Sequence, residues 1–364
     1  MRCLAALLGV LALSGCVSSL TPETGPDVPP GPERSITALP GWGEADMAAA
    51  LASFVVSCKA LLLMPPDTTL GGSGLAYERG GQAGLWEPVC TAAKSVPPGN
   101  QMAARQFFQS WFDTYQVSGT ATLTGYFEPE VPGAKNEQPG YNVPLYARPS
   151  VARLADLPRA AIDNGALNRK TPVTAYVTNP VDAYMLQVQG AGRIVLPNGR
   201  VLSVGFNGDN DQPYTPIGSI LVQMGALAAN NLSYQSISSW LKAHPDQARS
   251  IMEQNANYVY LRPLGYLPDN EGPPGALGVP LTPGHSLAVD RAALPLGVPV
   301  FVATTDPLTN APLNILTIAQ DTGAGLEGAD EADIFFGAGP DAEQIAGSMH
   351  QPGTLYVLLP RAQP

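Results

Sequence analysis

Histidine is nearly absent from this sequence. The three that occur, His244, His285 and His350, are far apart and lack the H-x-x-x-H or cysteine-rich spacing of a metal site. No metal and no cofactor is therefore expected. Charge is scarce as well: Asp, Glu, Lys and Arg make up 13% of the residues, roughly half the share usual in soluble domains. Polar surface must then come from Ser, Thr, Asn, Gln and exposed backbone. With 19 Lys and Arg against 30 Asp and Glu, and no basic cluster, the chain lacks the face that a phosphate backbone requires. Nucleic acid is excluded as an expected partner. No G-x-S-x-G and no phosphate loop occurs, so esterase and nucleotide chemistry find no support.

What is present points to a β-rich globular protein. The 364 residues, 45% of them hydrophobic, suffice for two domains and a sizeable core. The 38 Gly and 37 Pro imply many turns and short elements. No internal repeat is visible.

The N-terminus has the make-up of an export signal. Arg2 is a positive n-region, and residues 4–13 form an apolar run too short to span a bilayer. The run closes on Leu13-Ser14-Gly15-Cys16, which resembles the lipobox of bacterial lipoproteins. That resemblance implies a signal peptide over 1–16 and acylation of Cys16, which would hold the chain to a bilayer without a transmembrane helix. Val17, where an Asp would favour retention, points to the periplasmic face of the outer membrane of a Gram-negative bacterium. Residues 17–41 are Pro-rich and read as a tether. With Cys3 lost and Cys16 acylated, Cys58 and Cys90 remain, either as a disulfide or as two buried thiols.

Further on, apolar spacing predicts helices over 42–63 and 101–115, the second placing Phe107, Phe108, Trp111 and Phe112 on one core-facing side. After residue 118 short apolar runs alternate with turn signals, including 184–193. Residues 194–196 and 201–204 read as a hairpin across Pro197-Asn198-Gly199-Arg200. Helical texture returns over 217–229 and 236–254, with Pro245 starting a further turn. A strand is expected at 258–261, and the last hundred residues read as strands and turns. This pattern favours a small barrel.

Chemistry concentrates in C-terminal carboxylates. Asp290 closes the apolar run 286–289, and Asp321 closes 315–319 and opens Thr322-Gly323. Asp333 stands beside Ile334-Phe335-Phe336, where low dielectric would raise its pKa and keep it protonated near neutral pH. A protonated carboxyl is what glycosidic cleavage needs. For Asp290 a turn cap is the simpler role.

Several segments in one order resemble the MltA-type membrane-bound lytic murein transglycosylases. They are LTGYFEPEV (123–131), YMLQVQGAGR (184–193), VGFNGDNDQPYTPIG (204–218), NANYVYLR (255–262), AVDRAALPLGVPVFV and AQDTGAG…ADIFFG. The terminal portion is similar to the family's three-aspartate module, with Asp290, Asp321 and Asp333 in the named positions. The resemblance implies a mainly β fold with some helices: a double-psi β-barrel over 42–120 and 255–364, and a smaller inserted substrate-binding barrel over 121–254. The glycan would lie in the groove between them. It implies Asp333 as catalytic acid and base, with Asp321 beside it. Thr124, Tyr126, Gln187, Gln189, Asn207, Tyr214 and Asp290 would bind substrate. The family pattern after D-T-G has a double Gly and a basic residue; here Ala324, Gly325 and Glu327 stand instead.

The activity so implied is cleavage of the bond between N-acetylmuramic acid and N-acetylglucosamine, leaving a 1,6-anhydromuramyl end. Peptidoglycan strands and, through Cys16, a lipid bilayer are the expected partners; cell-wall synthesis proteins are admissible ones, and a monomer is expected. Three other readings compete. A D-T-G aspartic protease needs a second such motif and would have to be a homodimer. A two-carboxylate hydrolase could use Glu128 or Glu130 with water. A non-catalytic peptidoglycan-binding lipoprotein would keep the aromatics and amides.

Overall fold

The computed structural model describes residues 33–117, 119–265, 267 and 271–361. The expected signal peptide over 1–16, the expected acylation site Cys16 and most of the expected tether lie outside the described residues. Its strands are β1 (Glu33–Arg34), β2 (Phe112–Gln116), β3 (Ala121–Glu128), β4 (Glu130–Ala134), β5 (Val143–Tyr146), β6 (Val173–Val177) and β7 (Ala191–Val195). They continue with β8 (Val201–Asp209), β9 (Val259–Gly265), β10 (Ser286–Ala288), β11 (Pro299–Thr305), β12 (Pro312–Asp321), β13 (Glu331–Ala338) and β14 (His350–Pro360).

Two sheets hold all of these. The larger runs β1-β2-β14-β11-β12-β10-β13-β3, and β14 also pairs with β3, so six strands close into a barrel. The long β14 makes this closure by dividing its length. His350–Gly353 bond to β3, and the following residues bond to β11 and β2. Two pairs in this larger sheet are parallel, β10 with β12 and β13 with β3. Parallel neighbours need a long connection, and between β3 and β13 that connection holds the whole second unit followed by β10, β11 and β12. Leu123, Leu287, Val300, Val302, Leu316, Ile318, Ala332 and Ile334 are almost wholly buried in the barrel.

Helices cover one side of this barrel. Met47–Leu61 starts at Asp46, whose side chain accepts from Ala49 N, and Gln101–Trp111 starts at Asn100, which accepts from Ala103 N. Phe54 sits between Trp86, Phe107, Phe108 and Phe112, with ring centroids 5.9–6.2 Å away. A Cys58–Cys90 disulfide ties Met47–Leu61 to Glu87–Ala93. The second helix is shorter than its aromatic spacing predicts. Phe112 turns extended, and Phe112–Gln116 pair with β14 because that edge offers the backbone partners a fraying helix end lacks.

The smaller sheet runs β5-β6-β4-β7-β8-β9, with the predicted hairpin closing at Val195 opposite Val201. It curls enough for Thr174 Oγ1 on β6 to donate to Leu261 O on β9 at 2.7 Å. The helix expected over 236–254 is two, Tyr234–Ala243 and Pro245–Met252, since Pro245 has no N–H to continue the first. The one over 217–229 stops at Gln223. Residues 184–193 also depart from expectation. Pro180–Gln189 is a helix begun by an Asn179 cap and ended by Gly190 at φ 74°, and the strand starts only at Ala191.

The sheets divide the chain differently from the expected 121 and 254 boundaries. β3 belongs to the large barrel through Glu128, and β9 belongs to the small sheet through Gly265. Packing likewise begins before Trp42. Glu33 and Arg34 pair with β2, and Ile36 and Leu39 are buried, so residues 33–41 are not a free tether.

Gly125, in the middle of β3, lies under the helix Gly339–Ser348. A Cβ there would fall 2.8 Å from Ala346 Cα and 2.9 Å from Phe336 Cε2. Gly125→Ala should therefore destabilise the fold by about 1–3 kcal/mol. A urea midpoint unchanged from wild type would contradict this close approach.

Candidate active site

Asp333 stands in β13 between β10 and β3, opposite Ala288 on one side and Thr124 on the other. Its neighbours Ala332 and Ile334 are fully buried, so by strand alternation Asp333 points away from the barrel core. The parallel register brings Thr124 Oγ1 onto Asp333 Oδ1, to which it donates a hydrogen bond. Burial lifts the Asp333 carboxyl to about 6. The Thr124 bond opposes that rise, while Glu331 and Asp321 add to it.

Asp321 ends β12, likewise opposite Ala288, so one strand separates the two carboxylates. Tyr126, two residues after Thr124 and on the same face of β3, donates its hydroxyl to Asp321 Oδ2 at 3.0 Å. Ala276 N donates to Oδ1 at 2.9 Å. Burial pushes Asp321 above the usual carboxylate range, and the Thr322, Ala276 and Tyr126 hydrogen bonds pull against it. Burial first, then Asp321 and Asp333, hold the Tyr126 phenol protonated, and its ring packs 5.2 Å from that of Phe335. Behind Asp321 the buried Gln320 donates to Ser53 O at 3.1 Å and Ser57 Oγ at 2.8 Å, and accepts from Ser286 Oγ. This network fastens the end of β12 to the helix Met47–Leu61 and to β10.

The facing wall comes from the small-sheet unit. Tyr214 lies between β8 and the helix Ile217–Gln223, and its ring would be 3.2 Å from a Cβ at Gly325. Tyr214 therefore lies against the 322–330 loop that leads into Asp333, and burial raises its pKa, with Tyr184 and then Asp333 adding to the rise. Gly325 is one of the positions that depart from the family pattern, and here it gives this ring its seat.

Thr124, Tyr126, Tyr214, Asp321 and Asp333 thus come together, and the other expected site residues do not join them. Both Asp290 oxygens accept backbone N–H groups, from Ala292 at 2.8 Å and Gly328 at 2.7 Å, so it caps a turn and moors the 322–330 loop. Gln187 and Gln189 would share a face in a strand, but in a helix two positions apart they diverge. Gln187 is buried and accepts from Arg159 at 2.8 Å, while Gln189 Oε1 accepts from Phe127 N at 3.1 Å. Asn207 is half-buried in a bulge of β8, and among the described residues no hydrogen bond joins it to the Asp333 group.

Glu128 is buried at the end of β3, with Oε2 3.5 Å from Arg193 Nη2. Burial lifts it to about 7 against the pull of Arg193. It lies four residues from Thr124, on the order of 13 Å along the strand, and Glu130 is exposed. A further group missed in the sequence is the buried Arg159 with Asn210, Asn255 and Asn257. The Asn-rich NGDND and NANY segments were its only visible sign. Among the described residues no three His, Cys, Asp or Glu side chains are grouped to hold a metal ion.

Comparison with known proteins agrees with this fold. The profile of the MltA specific insert domain matches residues 122–262, and that of the 3D domain matches 285–359. Membrane-bound lytic murein transglycosylase A of Escherichia coli K12 is 30% identical over 267 residues, 70% of this chain and 71% of that protein. The crystal structure of a membrane-bound lytic murein transglycosylase from Agrobacterium tumefaciens superposes with a TM-score of 0.81 at 27% identity, covering 90% of this chain and 97% of that one. MltA from Neisseria gonorrhoeae gives 0.73 at 29% identity, covering 94% and 98%. The barrel, the insert and the aspartate module together show that this chain belongs to the MltA family of membrane-bound lytic murein transglycosylase enzymes.

Proposed function

We propose that the protein cleaves peptidoglycan glycan strands between N-acetylmuramic acid and N-acetylglucosamine, with Asp333 acting first as acid and then as base. The observation that carries this reading is a carboxyl lifted to about 6, hydrogen-bonded to Thr124 and facing a wall built by Tyr214. Protonated Asp333 donates to the linking oxygen as the bond to C1 of the muramyl sugar breaks. Positive charge develops at C1. The hydroxyl on C6 of the same sugar then attacks C1, and its proton passes to the Asp333 carboxylate. No water is consumed, and the nucleophile is already held beside its target. Thr124 holds the carboxyl's orientation, and Tyr126 does the same for Asp321. Glu128 stands four residues beyond Thr124, on the order of 13 Å along the strand, and its carboxyl is paired with Arg193, so this reading gives it no part in the reaction.

The relatives' names place them at a membrane, and among the described residues no helix is long and apolar enough to cross one. Acylation at Cys16, with the enzyme on the periplasmic face of the outer membrane, is the attachment this reading favours. Replacing Cys16 by Ser in the full chain should release the enzyme from the membrane fraction of cells.

Mass spectrometry of digests tests the chemistry. Wild type should release 1,6-anhydromuramyl products from purified peptidoglycan, and Asp333→Asn should lose at least about a thousandfold, as expected when a group serving both as acid and as base is removed. Products with reducing ends would instead indicate a water-using hydrolase. Because the acid form is required, kcat/KM should fall about tenfold per pH unit above about 6. Thr124→Val removes a bond that favours the carboxylate, so it should move that limb to higher pH.

The same shift has a stability sign. Asp333 titrates higher folded than at its ordinary 3.8, so its ionisation costs stability as pH rises through that interval. Asp333→Asn should be more stable than wild type at pH 7.5, by no more than about 3 kcal/mol, and indistinguishable below pH 3.8. An equal difference at both pH values would mean that its burial does not perturb this carboxyl.

A further inference from the structure

Arg159 opens the short helix Arg159–Asp163 of the small-sheet unit and is only 2% exposed. Its guanidinium lies 4.6 Å from the ring centre of Tyr184 and 5.1 Å from that of Tyr258. A buried guanidinium is tolerated only when its donors are satisfied. Here Nε donates to Asn255 O at 2.9 Å and Asn257 O at 3.1 Å, Nη2 to Asn257 O at 2.6 Å, and Nη1 to Gln187 Oε1 at 2.8 Å. Three of those four bonds end on main-chain carbonyls of one turn. Arg159 therefore acts as a clamp on residues 255–257.

That turn in turn holds the segment carrying Tyr214. Asn255 Oδ1 accepts from Thr215 N at 3.1 Å, Asn257 N donates to Pro213 O at 3.2 Å, and Asn257 Nδ2 donates to Gln212 O at 3.2 Å. Asn210 fixes the approach, donating to Leu157 O and Ala256 O, both at 2.9 Å. Tyr214 itself belongs to no helix or strand. The backbone on both sides of it is held from the Arg159 turn.

We propose that Arg159 is a positioning residue for the substrate groove, fixing through Asn255 and Asn257 the backbone from which Tyr214 meets the 322–330 loop ahead of Asp333. The proposal rests on the reading that this groove receives the glycan. It needs arginine in particular: a planar fork stacked between two rings can reach three carbonyl bonds and an amide at once, whereas a lysine ammonium cannot.

The test compares wild type, Arg159→Met, Arg159→Lys, Tyr214→Ala and the Arg159→Met/Tyr214→Ala double variant on purified peptidoglycan, with amide hydrogen exchange on each. Arg159→Met should lose at least about tenfold in kcat/KM, chiefly through KM, with the pH limb near 6 unmoved because Asp333 is untouched. Arg159→Lys should recover part of the loss. The double variant should be no worse than Tyr214→Ala within about twofold, since residues acting through one another do not add. The Thr215 and Asn257 amides should exchange at least about tenfold faster in Arg159→Met, while those of β11 and β12 keep their wild-type rates. Additive losses, or unchanged exchange at Thr215 and Asn257, would overturn the proposal. If wild type releases no product, the glycan reading fails by itself and the exchange comparison still decides the role of Arg159. Should Arg159→Met not fold, Asn257→Ala, which keeps the clamp and drops only the Gln212 bond, must show the same KM and exchange effects in smaller measure or the proposal falls.

Discussion

The candidate active site of this molecule depends on the parallel register between β3 and β13. That pairing sets Thr124 opposite Asp333 and lets the threonine hydroxyl reach the carboxyl. A slip of one residue would turn Asp333 toward the core and leave an ionisable group among Leu123, Ala332 and Ile334. The barrel resists such a slip because β14 closes onto β3 from the other side, with His350 opposite Thr124. Gly125 lets the helix Gly339–Ser348 settle over the same strand.

The low charge content finds its explanation in how the polar groups are used. Asp321 and Asp333 are held mainly by neutral donors: a threonine, a tyrosine and backbone N–H groups. With little positive charge nearby, burial governs their titration and raises both. The layers behind the site follow the same rule. Gln320 with Ser53, Ser57 and Ser286 backs the barrel wall, and Arg159 with three asparagines backs the opposite one. Each is a satisfied buried network, which orients its neighbours more strictly than apolar packing does.

Local chemistry was legible where it is governed by neighbours in the chain. The Gln101 start, the turn between β7 and β8 and the aromatic face of Gln101–Trp111 all follow from turn residues and spacing, whereas the helix expected from residue 42 begins only at Met47. Legibility failed where a tertiary partner overrode it. Phe112–Gln116 could have continued a helix but is drawn into the edge of β14. Gln187 and Gln189 alternate like strand residues, yet the Asn179 cap and Gly190 enclose them in a helix, where Gln187 accepts from Arg159 and Gln189 from Phe127 N. Asp290 resembles its two companions in sequence, but both its oxygens are spent on backbone.

The sequence by itself determined the class of protein, the β-rich architecture and the carboxyl beside Ile334-Phe335-Phe336, because composition and motif order are local properties. Tertiary structure alone decided which groups surround that carboxyl. Thr124 and Asp333 lie 209 residues apart, and the hydrogen bond between them exists only because the strands on either side of the insert pair in parallel. Tyr214 and Gly325 come from different units and meet only because the two pack together. Spacing cannot encode such contacts, because they are set by how two sheets close and by which buried polar groups must find partners.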